Sequence, residues 1–334
     1  MTTTVTREFV AGLPKAELHL HLEGTLEPDL KLALATKHGV DIGQSTIEEV
    51  QASYNFTDLT SFLAVYYPAM NVLQDEEDFE ALASAYFARA KANGVRRAEC
   101  FFDPQAHTTR GIAIETVING YYKAVEKARE DGLSADLILC FLRDMSAESA
   151  RETLEAALPH KDKFFAVGLD SDERDNPPEK FAEVFARARE EGFLLTMHAD
   201  VDIKNSIEHI RQLIEEIKVD RIDHGTNVIE NPDYVQYLVD NKIGLTSCPI
   251  SNTWVSDGSK TQLIKQLSDK GMKICINSDD PAYFGGYIGE NLQLVADELD
   301  ADEDFLKQLC LNAVDISWAT PTLKNQLREE IAAC

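Results

Sequence analysis

Glu17-Leu18-His19-Leu20-His21-Leu22-Glu23-Gly24 alternates strictly between apolar and polar residues. Leu18, Leu20 and Leu22 fall on one side of an extended chain, and Glu17, His19, His21 and Glu23 on the other, the period-two signature of a β-strand. Residues two apart on a strand project from the same face, so both imidazoles point together. Such a pair suits a borderline cation such as zinc. Taken alone, the pattern equally fits a half-exposed strand with two surface histidines.

Apolar runs rich in β-formers recur from that strand onward: 95–104, 133–143, 164–173, 193–200, 219–226, 243–251 and 272–281. Amphipathic stretches such as 178–191 and 205–217 separate them. Eight strands alternating with helices predict a parallel (β/α)8 barrel of the TIM type with extra helices, an α/β fold. The 334 residues suffice for one such barrel as a single domain over 1–334, since about 250 are typical. The competing doubly wound sheet would carry Gly-x-Gly-x-x-Gly after a strand, and no strand here is followed by one. Between the first two strands lies an aromatic segment, 54–70, with Phe56, Phe62, Tyr66 and Tyr67. It reads as core packing or as a lid over a flat ligand, because the connection exceeds what a crossover needs. The tail 301–333 is expected to pack outside the barrel.

A net charge of −26 argues against a nucleic-acid or anionic-membrane partner. The N-terminus has no apolar signal core, and no window is apolar enough to span a membrane. Six scattered cysteines without Cys-x-x-Cys spacing predict reduced thiols and a cytoplasmic protein. Association into a homo-oligomer is compatible with all of this.

In a barrel of this kind chemistry sits at the C-terminal strand ends. Those ends carry His19, His21 and Glu23 on the first strand; Asp170, Ser171, Asp172 and Glu173 on the fourth; His198 and Asp200 on the fifth; Asp223 and His224 on the sixth; and Ser278, Asp279 and Asp280 on the eighth. Four of the eight histidines thus converge on one rim. The other four, His38, His107, His160 and His209, fall in loops or helices and read as surface residues. Acids and imidazoles gathered on one rim would be costly to bury without a metal. His19, His21, His198 and Asp279 form a plausible shell for one zinc ion with room for water, and His224 is placed to act on that water as a base or orienter.

Leu13-Pro14-Lys15-Ala16-Glu17-Leu18-His19-Leu20-His21-Leu22-Glu23-Gly24, Asp223-His224-Gly225-Thr226 and Asn277-Ser278-Asp279-Asp280-Pro281 resemble, in order and spacing, the adenosine/adenine deaminases of the amidohydrolase superfamily. The resemblance covers nearly the whole chain and implies a (β/α)8 barrel. It also implies zinc ligation by His19, His21, His198 and Asp279, activation of water by His224, a bond from Asp280 to purine N7, and a Ser171 backbone N–H near N3. The fourth strand ends without lysine, so a bridging carbamylated lysine is not expected, which favours one zinc per chain.

Two positions depart from the nucleoside enzymes. Glu23 stands where they carry the Asp that touches the ribose. With 168–171, 248–252 and 283–287 it resembles the adenine, or free-base, branch. The glutamate that protonates N1 in the family is replaced by Val201, within His198-Ala199-Asp200-Val201-Asp202. Either Asp200, on the face of His198 if the strand runs on, or Asp202 supplies the proton, or the chain binds zinc and purine without catalysis. The expected function is hydrolytic deamination at C6 of a small-molecule 6-aminopurine base, adenine or an N6-substituted, cytokinin-like adenine. The alternatives are an adenosine deaminase, the non-catalytic binder, and an amidohydrolase acting on a pteridine or pyrimidine amine.

Overall fold

The computed structural model describes residues 5–199 and 205–334. Eight parallel strands follow one another in chain order: β1 (Lys15–Glu17), β2 (Val95–Phe102), β3 (Ser134–Leu142), β4 (Ala166–Asp170), β5 (Leu194–Ala199), β6 (Arg221–His224), β7 (Gly244–Ser247) and β8 (Ile274–Ile276). Each pairs with the next. β8 meets β1 just beyond the strand ends. There the His21 N–H donates to Asp279 O at 3.0 Å, the Asp279 N–H to His19 O at 3.1 Å, and the Leu18 N–H to Asn277 Oδ1 at 2.8 Å. The result is the expected (β/α)8 barrel. Every expected apolar run contains a strand, trimmed where its polar ends bend out of the ladder.

The first run is the most altered. β1 stops at Glu17, and His19 to Leu22 continue through isolated bridges, Leu20 to Asp279 and His21 to Phe101. A 3-10 turn, Glu23–Thr25, then leaves the barrel. All of 17–24 is buried, so this is not a half-exposed strand. Helices cover the outer face of a parallel barrel, so both faces of its strands are enclosed. Leu20 and Leu22 join the outer core, leaving His19 and His21 to the interior.

The helix Leu59–Ala69 starts at a capping box between Asp58 and Ser61. Its Phe62 and Tyr66 are buried, and with Leu59, Leu63 and Tyr67 they line a cavity above the barrel. The aromatic segment is thus both packed core and roof. The helix Glu303–Ile316 packs outside β8 and β1, as expected of the tail. Beyond it the chain reaches the N-terminal mouth. Trp318 N–H donates to Glu99 Oε1 at 2.7 Å, and the Arg221 guanidinium lies 3.9 Å from the Trp318 ring centroid. Glu99 also binds Arg97 (3.0 and 3.1 Å) and Arg221 (2.5 Å), making a fully buried ionic floor. All six cysteines are free, five buried and Cys334 exposed. Among the described residues no helix is long and apolar enough to cross a membrane.

Candidate active site

The structure brings His19, His21, His198 and Asp279 together, one ligand atom from each within 4.8 Å of the others. His19 Nε2 lies 3.2 Å and His21 Nε2 3.4 Å from Asp279 Oδ1, and the Nε2 atoms of His21 and His198 are 3.1 Å apart. Ligand atoms about 2.0–2.1 Å from a tetrahedral cation stand about 3.3 Å apart, so these spacings fit one.

The outer partners of the imidazoles fix the same conclusion. His198 Nδ1 must donate to Leu169 O (3.1 Å), which leaves its Nε2 bare. Thr246 Oγ1 donates to Asp223 Oδ1 (2.9 Å) and so accepts from His19 Nδ1 (2.9 Å), leaving His19 Nε2 bare as well. That atom is buried with no hydrogen-bond partner among the described residues. His21 Nδ1 faces Asp170 Oδ2 at 3.4 Å. The bare nitrogens of His19 and His198 thus turn into one point beside His21 Nε2 and Asp279 Oδ1, the arrangement a cation would satisfy. Ser251 Oγ donates to Asp279 Oδ2 (2.6 Å), keeping Oδ1 toward the shell. Buried Arg143 donates from Nη1 to His198 O (2.8 Å), pinning the end of β5.

Burial drives the His21 imidazole down to about 4 and the His224 imidazole to about 3. Burial, then the neighbouring His19, His21 and His224, hold His198 well below the usual range. These rings are therefore neutral, the form that ligates metals and accepts protons. For His19, burial is outweighed by Asp279 and Asp223, and the ring is held above its usual value. Asp279 stays well below the usual carboxyl range because His19, His224 and His21 together outweigh its burial.

His224 stands beside the shell, with Nε2 3.8 Å from Asp279 Oδ2 and Nδ1 buried without a hydrogen-bond partner among the described residues. Ser171, just past β4, His224, at the end of β6, and Asp279, three residues past β8, lie in the left-handed region, with φ of 72°, 61° and 64°. Such backbone costs of order 1–3 kcal/mol at a residue other than glycine and concentrates at functional sites.

Asp280 and Ser171 line a pocket of about 510 Å³, open mouth included, with His21, His198, His224 and Asp279 at its foot. The Gly24 backbone crosses so close to Asp280 that a Cβ on it would lie 2.7 Å from Asp280 Cα. Burial, and then Asp279, push the Asp280 carboxyl well above its usual range.

Glu23 is fully buried behind the lining rather than on it. Its Oε1 accepts from His107 Nε2 (2.9 Å) and from the Asp103 N–H (3.3 Å). Arg110 Nη2 donates to His107 Nδ1 at 2.8 Å, which fixes the proton on the nitrogen facing Glu23. Burial would push Glu23 up, but the His107 contact outweighs it and holds the carboxylate below its usual value.

His107 is therefore no surface residue. His209 is also buried, 3.5 Å from Glu173, and His38 is half-buried against Asp78 at 2.7 Å. Each lies against a carboxylate drawn from a distant part of the chain. Asp103 and Asp170, at the ends of β2 and β4, were not singled out for substrate contact, yet both line the pocket. Asp103 obeys the strand-end rule that exposes Asp279 in the sequence, and that was its available signal. Burial, then Asp170 and Glu23, hold Asp103 well above the usual range, and burial lifts Asp170 to about 7. Asp200 and Asp202, the candidates for protonating N1, lie outside the described residues.

The adenosine deaminase family model matches residues 14–334. An adenine deaminase of Rhodospirillum rubrum is 46% identical over 328 residues, 97% of this chain and 98% of its own. The solved adenine deaminase of Arthrobacter aurescens superposes with a TM-score of 0.92 at 42% identity, covering 96% of this chain and 98% of its own. A solved amidohydrolase of Burkholderia ambifaria with bound zinc has a TM-score of 0.85 at 26% identity, covering 100% of this chain and 96% of its own.

Proposed function

The chain belongs to the adenosine deaminase family and is a hydrolytic deaminase, and from that premise we propose that it is a zinc-dependent aminohydrolase acting at C6 of a 6-aminopurine free base. The base is adenine or an N6-substituted adenine, and the products are hypoxanthine and ammonia or an amine. The observation that carries this reading is the set of three imidazoles and Asp279 converging at the foot of a pocket walled by Phe62, Tyr66 and Tyr67, in a chain whose relatives are named adenine deaminases. His19, His21, His198 and Asp279 would hold one zinc ion, which supplies the Lewis acidity that makes water nucleophilic near neutral pH.

The other steps belong to side chains of this protein. Neutral His224 takes the proton of the attacking water. Asp280 bonds N7 and the Ser171 N–H reaches N3, which turns C6 toward the shell. Protonation of N1 draws electrons from C6 and is assigned to Asp200, with Asp202 next. The amino group takes a proton and leaves. An apolar group on N6 is supported by the apolar part of the pocket lining, Leu59, Leu63, Val255 and Phe284. The free state of all six cysteines supports a cytoplasmic setting.

The test is an ultraviolet assay of zinc-loaded protein on adenine, N6-methyladenine, N6-isopentenyladenine and adenosine. One or more free bases should be hydrolysed in preference to adenosine. Preference for adenosine over every base overturns the free-base reading, and purine binding without release of ammonia or amine overturns catalysis. Asp200→Asn or Asp202→Asn should keep zinc and lose ~10²-fold or more in kcat. Near wild-type rates in both would assign the N1 proton elsewhere.

A further inference from the structure

Adenine and adenosine differ at one atom of the ring. The free base carries a hydrogen-bond donor at N9, and the nucleoside a carbon. The order of the strands says which wall meets that atom, given the pose proposed above, on which this inference rests. C6 lies over the shell built by β1, β5 and β8, with His224 from β6 beside it. Asp280 after β8 takes N7, and Ser171 after β4 takes N3. In a purine, N9 lies between N7 and N3 on the edge away from C6. The arc of barrel from β8 to β4 that avoids β5, β6 and β7 runs through β1, β2 and β3.

Three polar groups stand at those strand ends. Glu23, beyond β1, accepts from His107 through Oε1 and keeps Oε2 without a hydrogen-bond partner among the described residues, but it is behind the lining. Arg143, beyond β3, spans to His198 O and Asn176 O. Asp103, beyond β2, lines the pocket, is 1% exposed, and keeps Oδ1 buried with no hydrogen-bond partner among the described residues. Asp170, on the same wall, has an oxygen within 4.8 Å of one of Asp103. The Asp103 N–H is itself held by Glu23 at 3.3 Å. A buried acceptor left without a donor is costly, and a ligand N–H that fills it is recognised strongly.

We propose that Asp103, braced by Glu23 and Asp170, accepts the N9–H of the bound base, so that an unsubstituted N9 is part of what this site reads. A carboxyl oxygen can accept that bond whether or not the group carries a proton. An N9-alkylated purine brings a carbon to the same oxygen and strands it. Sites built around a substrate N–H reject analogues lacking it by about 10⁴-fold or more. Selection for the free base then has a polar cause.

The probe is 9-methyladenine, which lacks the N9–H but adds only a methyl group. Steady-state kcat/KM for adenine and 9-methyladenine is measured on zinc-loaded wild type, Asp103→Ala and Asp103→Asn, with metal content as the control for an intact site. Wild type should prefer adenine by about 10⁴-fold. Asp103→Ala should cut adenine turnover by about 10-fold or more and shrink the preference at least tenfold, while Asp103→Asn, which keeps an acceptor, should retain more of it. Wild type that rejects adenosine yet uses 9-methyladenine within tenfold of adenine overturns the role of Asp103 and leaves the free-base reading standing. Wild type that prefers adenosine overturns the free-base reading itself. An unchanged preference in Asp103→Ala overturns the proposal. If that variant does not fold, the wild-type ratio and Asp103→Asn decide, since an Asn variant with less preference than a tenth of wild type also contradicts an acceptor role.

Discussion

Replacing Glu99 by Gln tests the ionic floor of the barrel. Glu99 Oε1 accepts from Arg97 and from the N–H of half-buried Trp318, and Oε2 accepts from Arg221, with Glu99, Arg97 and Arg221 all buried. Arg97 keeps a bond to Asp136, and Arg221 keeps Leu18 O at 3.1 Å and Asp223 Oδ1 at 3.8 Å, but the one anion between the two guanidiniums is gone. Removing one partner of a buried ion pair costs about 3–5 kcal/mol, and here one carboxylate serves two cations, so roughly 5 kcal/mol is expected. At roughly 2 °C per kcal/mol for a chain of this size, unfolding should fall by roughly 10 °C. Although burial would raise Glu99, Arg97 and Arg221 hold it below its usual value. Its contribution is therefore complete above the unfolded carboxyl value of about 4.3 and is lost as pH falls through the folded value. The assay is thermal unfolding of wild type and Glu99→Gln from pH 8 to pH 3.5, with turnover per bound metal measured at pH 7. The gap should be constant from pH 8 to pH 5 and close only in acid, and turnover per metal should stay near wild type. A gap under 2 °C at pH 7, or one that closes between pH 8 and pH 6, refutes the reasoning.

His19→Ala and Asp279→Ala should each lose bound metal and turnover together, as metal analysis and the ultraviolet assay will show. His224→Ala should retain metal and lose ~10²-fold or more in rate, because the group that accepts the proton of water is gone. Gly24→Ala should raise KM for adenine by about tenfold or more, since its Cβ must displace Asp280 at the N7 position; an unchanged KM would mean that Asp280 does not hold the purine. Chelation should abolish activity and zinc should restore it.

The barrel was legible because its strands are enclosed on both faces and read as apolar runs. The shell was legible for the complementary reason: His19, His198 and Asp279 are polar residues at the ends of such runs, where burial without a task would be costly. What the sequence concealed depends on register between distant segments. His107 meets Glu23 across 84 positions, and Glu99 meets Arg221 across 122. No local pattern marks either pair, and a histidine in a short helix looks like surface until its partner is known. The early end of β1 was hidden in the same way, because Leu18, Leu20 and Leu22 continue the alternation after the ladder has stopped.

The seam between β8 and β1 ties the proposed metal shell to the closure of the barrel. His19 and His21 lie near the start of the chain and Asp279 near its end, and their own backbone groups make the hydrogen bonds that join the last strand to the first. Contacts across some 260 residues carry a large loop-closure entropy and form late. A chain whose seam has not closed would therefore offer its two N-terminal imidazoles without the carboxylate, and full affinity would require the closed ring. A cation that binds the closed form also holds the seam together, by mass action on the native state. Metal uptake during refolding should accordingly track the slowest phase of barrel formation.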